Sequence, residues 1–74
     1  MFHLRLKELR QERKLTQKQV FSGIGATERS YQSLEYGKVK PSHDTIIKLC
    51  QYFNVSADYL LGLSDEPTPL KPSE

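Results

Sequence analysis

The chain has 74 residues, 36% of them hydrophobic, and a formal net charge of +2. This length gives one domain and excludes a second, and so small a domain leaves few apolar residues for a deep catalytic pocket. The single cysteine, Cys50, excludes an internal disulfide and, with only His3 and His43 beside it, a zinc site built from several cysteines. No apolar run approaches the roughly 18 residues of a membrane span, and the charged N-terminus does not resemble a secretory signal. We therefore expect a reduced, cytoplasmic protein.

Positive charge is concentrated in the first half of the chain. Residues 1–40 contain nine Lys and Arg and four Glu, a net charge of +5, whereas residues 41–74 contain two Lys and five acids, a net charge of −3. A basic half favours an anionic partner. A solvated charged surface accounts for the same pattern equally well.

Hydrophobic periodicity predicts helices in the first half of the chain and no strand. Leu6 and Leu9 define one face of an amphipathic helix over residues 4–14. Thr16 and Gln19 fit a capping box that opens a second helix, and glycines at positions 23 and 25 end it. A third helix is expected over residues 28–36, between a threonine cap at position 27 and a glycine at position 37.

Two more helices are predicted in the second half. Ser42 opens the fourth, whose apolar face includes Ile46, Leu49 and Phe53. Ser56 caps a short fifth helix. The residues that end these two helices are Asn54 and Gly62.

A domain of residues 1–64 is expected to precede a flexible, Pro-rich acidic tail of residues 65–74, which contains three prolines. The periodicity predicts one continuous hydrophobic core in the domain. The residues predicted to be mostly buried are Leu6, Leu9, Leu15, Val20, Ile24, Tyr31, Leu34, Ile46, Leu49, Cys50, Val55 and Leu60.

The unit over residues 16–37 is the most informative part of the sequence. It consists of a short capped helix, a tight glycine turn and a second capped helix with a polar outer face. Two helices joined at a steep angle by three or four residues form a helix-turn-helix. In this arrangement the second helix enters the major groove of DNA with its N-terminal residues leading.

Several motifs occur in a fixed order along the chain: Arg5-Leu-Lys-Glu-Leu-Arg10, Leu15-Thr-Gln17, Gly25, Leu34-Glu35-Tyr36-Gly37-Lys38, Pro41-Ser42 and Asn54-Val-Ser-Ala-Asp-Tyr-Leu-Leu-Gly62. Together they resemble the Cro and lambda-repressor-like helix-turn-helix family, also called the XRE family, over residues 4–63. The resemblance implies an all-α fold, a compact five-helix lambda-repressor-like DNA-binding domain. It also implies a sequence-specific transcriptional regulator of the phage-repressor type.

The resemblance assigns roles to individual positions. The third-helix positions that match base-reading residues are Thr27, Glu28, Arg29 and Ser33. The positions that match phosphate or backbone contacts are Gln17, Tyr36, Lys38 and Lys40. Gln32 is placed with the phosphate contacts and Ser33 with the base contacts, although base reading, phosphate contact and solvent exposure fit each of them about equally well. Arg10 and Glu35 match a charged pair that ties the first helix to the third.

Some of these residues have two plausible roles. Arg29 can bind guanine O6 and N7 through both arms of its guanidinium, or it can be a solvated surface residue. Glu28 either complements the helix dipole or accepts from cytosine N4. Thr27 is an N-cap whose methyl group can also contact thymine. Phe21 stands where the family usually has a small residue, so either the two helices lie slightly apart or Phe21 points outward.

The expected function is binding of double-stranded DNA by a homodimer on an inverted-repeat operator. The alternative is a protein-interaction module on the same fold, an antitoxin or anti-repressor type of partner with weak or no DNA binding. An enzyme has no support, because no nucleophile–histidine pairing, metal set or phosphate-binding glycine loop is present. The sequence indicates no cofactor, metal, membrane contact or small-molecule site.

Overall fold

Five helices form the fold over residues 2–68, the part of the chain that the computed structural model describes. In chain order they are α1 (Phe2–Glu12), α2 (Gln17–Gly23), α3 (Glu28–Glu35), α4 (His43–Phe53) and α5 (Ala57–Leu60). No strand occurs within residues 2–68, which confirms the predicted all-α, five-helix fold. Residues 69–74 of the predicted tail lie outside the described residues.

Hydroxyl caps open four of the five helices. At each cap the hydroxyl accepts from the backbone N–H three residues later, and the four caps are Thr16, Thr27, Ser42 and Ser56. The capping box at α2 is complete, because the Thr16 N–H donates to Gln19 Oε1 at 2.8 Å. Each cap satisfies a backbone donor that the first helical turn leaves without a partner. All four predicted starts are therefore confirmed.

Each of the five helices is followed, within two residues, by a residue in the left-handed conformation that turns the chain away from the helix. Four of these residues are the predicted Gly25, Gly37, Asn54 and Gly62, with φ between +57° and +82°. At the first of them the N–H of residue 26 donates to the carbonyl of residue 21 at 2.8 Å, as in the Schellman motif. The fifth is Lys14, a non-glycine residue with a φ of +57° at the predicted C-terminal limit of α1, whose last helical residue is Glu12.

The buried apolar residues form one core cluster: Leu6, Leu9, Val20, Ile24, Tyr31, Leu34, Leu49, Phe53, Val55 and Leu60. Three residues predicted in the core, Leu15, Ile46 and Cys50, are only half-buried and pack against the edge of the cluster. Phe53, which the sequence pattern places on the apolar face of α4, is fully buried. Its ring is enclosed because the left-handed turn at residue 54 brings α5 back against α4.

Phe21 packs against the core edge and does not point away from it. Its side chain is half-buried, and its ring centroid lies 6.4 Å from that of Tyr31 at an interplanar angle of 47°. The larger residue is thus accommodated by a tilted aromatic contact between α2 and α3.

The C-terminal end of α2 approaches α4 closely at Gly23. A β-carbon at this position would lie 2.3 Å from Cε1 of Tyr52, and the Tyr52 hydroxyl donates to the carbonyl of Gln19 at 3.3 Å. We expect Gly23→Ala to displace the ring and destabilise the fold by on the order of 1–3 kcal/mol, although alanine is the better helix former. Thermal unfolding should detect this as a drop of roughly 4–8 °C per kcal/mol.

Tyr52→Ala provides the matched background for Gly23→Ala. Without the ring, the added methyl group has room, so Gly23→Ala should become neutral or stabilising there. If Gly23→Ala lowered stability equally in the wild type and in Tyr52→Ala, the contact with Tyr52 would not be the cause.

The residues that follow Ser64 run back along α5 and α1. The backbone N–H of Ser56 donates to the Pro67 carbonyl at 3.0 Å, and Arg5 Nη2 lies 3.4 Å from Asp65 Oδ1. The Arg5 guanidinium also lies over the Tyr59 ring, 4.2 Å from its centroid. These contacts hold residues 65–67 against the helices, while the predicted domain boundary at residue 64 stays a prediction.

Candidate nucleic-acid interface

Helix α3 turns its apolar residues inward and its polar residues outward. Tyr31 and Leu34 are buried in the core, whereas Glu28, Arg29 and Ser30 are exposed. Residues 24–27 join α2 to α3, and Gly25 in this link has a φ of +72°. This is the geometry of a helix-turn-helix whose second helix presents a polar face to solvent.

Arg10 and Glu35 join α1 to α3 through a two-pronged ion pair. Arg10 Nε lies 2.6 Å from Glu35 Oε2, and Nη2 lies 3.1 Å from Oε1. The third guanidinium nitrogen donates to the Leu15 carbonyl at 2.9 Å. Two parallel charge-assisted bonds fix both side chains, so this pair determines how α3 is held against α1 and the start of α2.

The ion pair lies in the interior, where its protonation is strongly constrained. Glu35 is only 3% exposed. Burial by itself would raise the pKa of Glu35, but hydrogen bonds from Arg10 and Gln17 outweigh burial and lower that pKa below its ordinary value. The hydroxyl of Tyr31 is buried nearby and makes no hydrogen bond within residues 2–68, and burial raises the pKa of Tyr31.

A chain of hydrogen bonds leads from this pair to the outer face of α3. Gln17 Nε2 donates to Glu35 Oε1, and Gln32 Nε2 donates to Gln17 Oε1, each at 3.2 Å. Gln32 Nε2 also donates to Glu28 Oε2 at 3.2 Å. Three residues expected to contact DNA are therefore connected to a buried structural pair.

Two predicted base-contact residues use their hydroxyl groups within the protein. Thr27 Oγ1 accepts from the Ser30 N–H at 3.2 Å and donates to Ser30 Oγ at 3.0 Å. Ser33 Oγ donates to the Arg29 carbonyl, one helical turn earlier, at 3.1 Å. In this state Thr27 offers a partner mainly its methyl group. Arg29 differs, because its guanidinium pairs with no residue in the described part of the chain.

The exposed start of α3 lies between two hollows. On the α4 side, Arg29, Ser33 and Lys40 line one hollow together with Ser42 and Val39. On the α2 side, the second hollow is lined by Arg10, Thr16, Gln17, Lys18, Phe21 and Glu28. The predicted contacts therefore flank α3 on two sides, the α4 edge and the α2 edge. Ser42, the N-cap of α4, lines the hollow on the α4 edge, and Thr16, the N-cap of α2, lines the hollow on the α2 edge.

Two predicted phosphate contacts lie apart from these hollows. Tyr36 caps the C-terminal end of α3 and is 56% exposed. Lys38 lies between the N-terminus of α1 and α4, where Phe2, His3 and Ile46 line a third hollow. Lys40 lines this third hollow as well as the hollow that contains Arg29, whereas Lys38 lines only the third hollow.

Some residues of this surface were not predicted as contacts. Lys18 lies beside Glu28 and Gln17, and Ser42 and Val39 lie beside Arg29. The position of Lys18 next to Gln17 in the first turn of α2 could have indicated it. Val39 lies beside Arg29 only because of the conformation of the loop between α3 and α4, which no local sequence pattern predicts.

The described residues contain no helix long and apolar enough to cross a membrane. They also contain no group of three or more His, Cys, Asp or Glu side chains that could hold a metal ion.

The helix pair and its polar outer face define a helix-turn-helix protein. Residues 6–60 match the family model HTH_3, described as helix-turn-helix, and the chain belongs to this family. The predicted fold and family are thereby confirmed.

Several known proteins resemble the chain along most of its length. It is 41% identical over 69 residues to the uncharacterized HTH-type transcriptional regulator YobD of Bacillus subtilis (strain 168), covering 93% of this chain and 62% of the relative. It is 34% identical over 65 residues to the cryptic phage CTXphi transcriptional repressor RstR of Vibrio cholerae, covering 88% and 59%.

A solved transcriptional regulator from Listeria innocua has the same fold, with a TM-score of 0.79 and 29% sequence identity, over 89% of this chain and 62% of that one. The chain thus spans about three fifths of the length of these relatives.

Proposed function

We propose that this protein is a sequence-specific DNA-binding transcriptional regulator of the phage-repressor type. The observation that carries the proposal is the exposed first turn of α3 in a helix-turn-helix. There Arg29 lines one hollow with Lys40, and its guanidinium pairs with no residue between positions 2 and 68. Membership of the helix-turn-helix family supports it, as do relatives named as transcriptional regulators and as a phage repressor. A regulator of this kind works in the cytoplasm, where its DNA is.

In this function, the two edges of α3 have separate roles. Arg29, with Thr27 and Ser33 beside it, reads base edges in the major groove, and Glu28 faces bases from the α2 edge. Lys38, Lys40 and Tyr36 contact the sugar–phosphate backbone and set register and affinity. Two copies bind an inverted repeat, because a two-fold dimer matches a two-fold operator.

The second candidate function is a protein-interaction module on the same fold. It is favoured by apolar side chains at the surface, with Val39 50% exposed and Leu63 76% exposed. A homodimer interface would account for the same exposure without excluding DNA binding.

Salt dependence separates the two functions. If each subunit contacts about three to five phosphates, a plot of log affinity against log salt concentration should have a slope of roughly −5 to −9 for the dimer. The DNA would be the best sequence selected from a random pool, titrated between about 50 and 200 mM salt. Affinity that stays constant over this range would support the interaction module.

Lys38→Ala and Lys40→Ala should each flatten this slope and weaken all sequences similarly. Lys48→Ala is the matched control, since Lys48 lies on α4 beside Gly23 and Tyr52, away from both hollows of α3. It removes the same charge and should leave the slope unchanged.

A further inference from the structure

The hydrogen-bond chain from Glu35 to Glu28 has a defined direction. The Glu35 carboxylate is paired with Arg10 and can only accept hydrogen bonds. The Gln17 amide must therefore turn its NH₂ group towards Glu35 and its carbonyl oxygen towards Gln32. The reversed orientation would place two acceptor oxygens against each other.

This direction determines what Gln32 can still do. Its NH₂ group donates one bond to Gln17 Oε1 and one to Glu28 Oε2, and an amide nitrogen carries only two hydrogens. The free atom of Gln32 is its carbonyl oxygen, which is an acceptor. A phosphate offers only acceptors, so Gln32 in this state has nothing to donate to it.

The same bond positions the Glu28 carboxylate. Glu28 is the first residue of α3 and is exposed, and one of its oxygens is held by Gln32 while the other accepts from no described residue. An acceptor with negative charge is repelled by phosphates and matches a donor. In the major groove cytosine presents the N4 amino group, whereas the adenine amino group has the acceptor N7 next to it.

We propose that Gln32 is a positioning residue for base recognition, which holds Glu28 so that its free oxygen accepts from a cytosine amino group in each half-site. This inference rests on the proposed function. It assigns Gln32 to sequence selection on the α2 edge of α3, at a different base pair from the one that Arg29 reads.

The test compares operators selected from a random DNA pool by the wild type, Gln32→Met and Glu28→Ala. Methionine has a length similar to that of glutamine but no N–H donor. The wild type should select a cytosine at one position of each half-site. Both variants should weaken that preference about fivefold or more, leave the other positions unchanged, and keep the wild-type slope against salt. Gln51→Met, on the exposed side of α4, is the matched control and should select wild-type operators.

Each other outcome has a distinct meaning. If Gln32→Met lowered affinity equally at every operator position and flattened the plot of log affinity against log salt concentration, Gln32 would be a phosphate contact and the proposal would be overturned. Loss of the cytosine preference in Glu28→Ala but not in Gln32→Met would show that Glu28 needs no positioning. An operator without this cytosine would refute the inference alone, whereas failure of the wild type to select any sequence would refute the proposed function as well.

Discussion

Glu35→Ala is expected to destabilise the fold by about 3–5 kcal/mol. The variant leaves the Arg10 guanidinium, whose side chain is 13% exposed, without its counter-charge in the interior. It also removes the acceptor for Gln17, so the start of α2 loses its tie to α3. For a domain of this size the melting temperature should fall by more than about 12 °C.

Glu28→Ala is the matched comparison, because it removes the same carboxylate from the same helix at an exposed position. Its effect should be about 0.5 kcal/mol or less. Equal melting temperatures for Glu35→Ala and Glu28→Ala would contradict the structural role of the pair.

Acid unfolding provides a second test of the Arg10–Glu35 pair. The pKa of Glu35 is lowered in the folded protein, so its contribution to stability is fully present above the ordinary value of 4.5. It is lost as the pH falls through the lowered pKa, because the unfolded chain then binds a proton that the folded chain does not. Glu35→Gln, which cannot titrate, should show a shallower loss of stability below pH 4.5 than the wild type.

Helix starts and ends were predictable because they depend on residues close together in sequence. The Thr27 hydroxyl accepts from a backbone N–H three residues later, and Gly37 turns the chain by its positive φ directly after α3. Both effects stay within four residues of the residue that causes them. Lys14 shows the limit of this reasoning, since a left-handed lysine costs roughly 1–2 kcal/mol and its residue type does not mark the turn. The turn is closed by backbone hydrogen bonds from Leu15 N–H to the Arg10 carbonyl at 3.1 Å and from Lys14 N–H to the Gln11 carbonyl at 3.0 Å.

The candidate site was predictable in outline and not in its connections. Family resemblance identified Arg10, Glu35, Gln17 and the outer face of α3. The hydrogen bond between Gln17 and Gln32 joins residues 15 positions apart on two helices, and no local pattern specifies it. The sequence pattern places Phe53 on the apolar face of α4, whereas the completeness of its burial depends on where α5 folds back.

Arg29→Ala is expected to weaken operator binding by about 1–3 kcal/mol per half-site, mainly at one base pair. Arg29 is exposed in the first turn of α3, beside the hollow that contains Lys40, and no described side chain pairs with it. Its planar guanidinium matches guanine O6 and N7, so each half-site should carry one guanine at this position. Two-fold symmetry should place the half-sites about one helical turn apart, roughly 10 bp.

Arg29→Lys separates the shape of this side chain from its charge. Lysine keeps the positive charge but lacks the rigid fork, so this variant should retain the wild-type slope against salt while it loses most of the guanine preference. Operators selected by the wild type and both variants, compared position by position, measure the effect. A loss of affinity that is equal at every operator position would show that Arg29 is a phosphate contact. Because the side chain is exposed and has no partner within residues 2–68, the melting temperature should be nearly unchanged in both variants. A fall of many degrees would mean that Arg29 supports the fold and that α3 does not present this face to DNA.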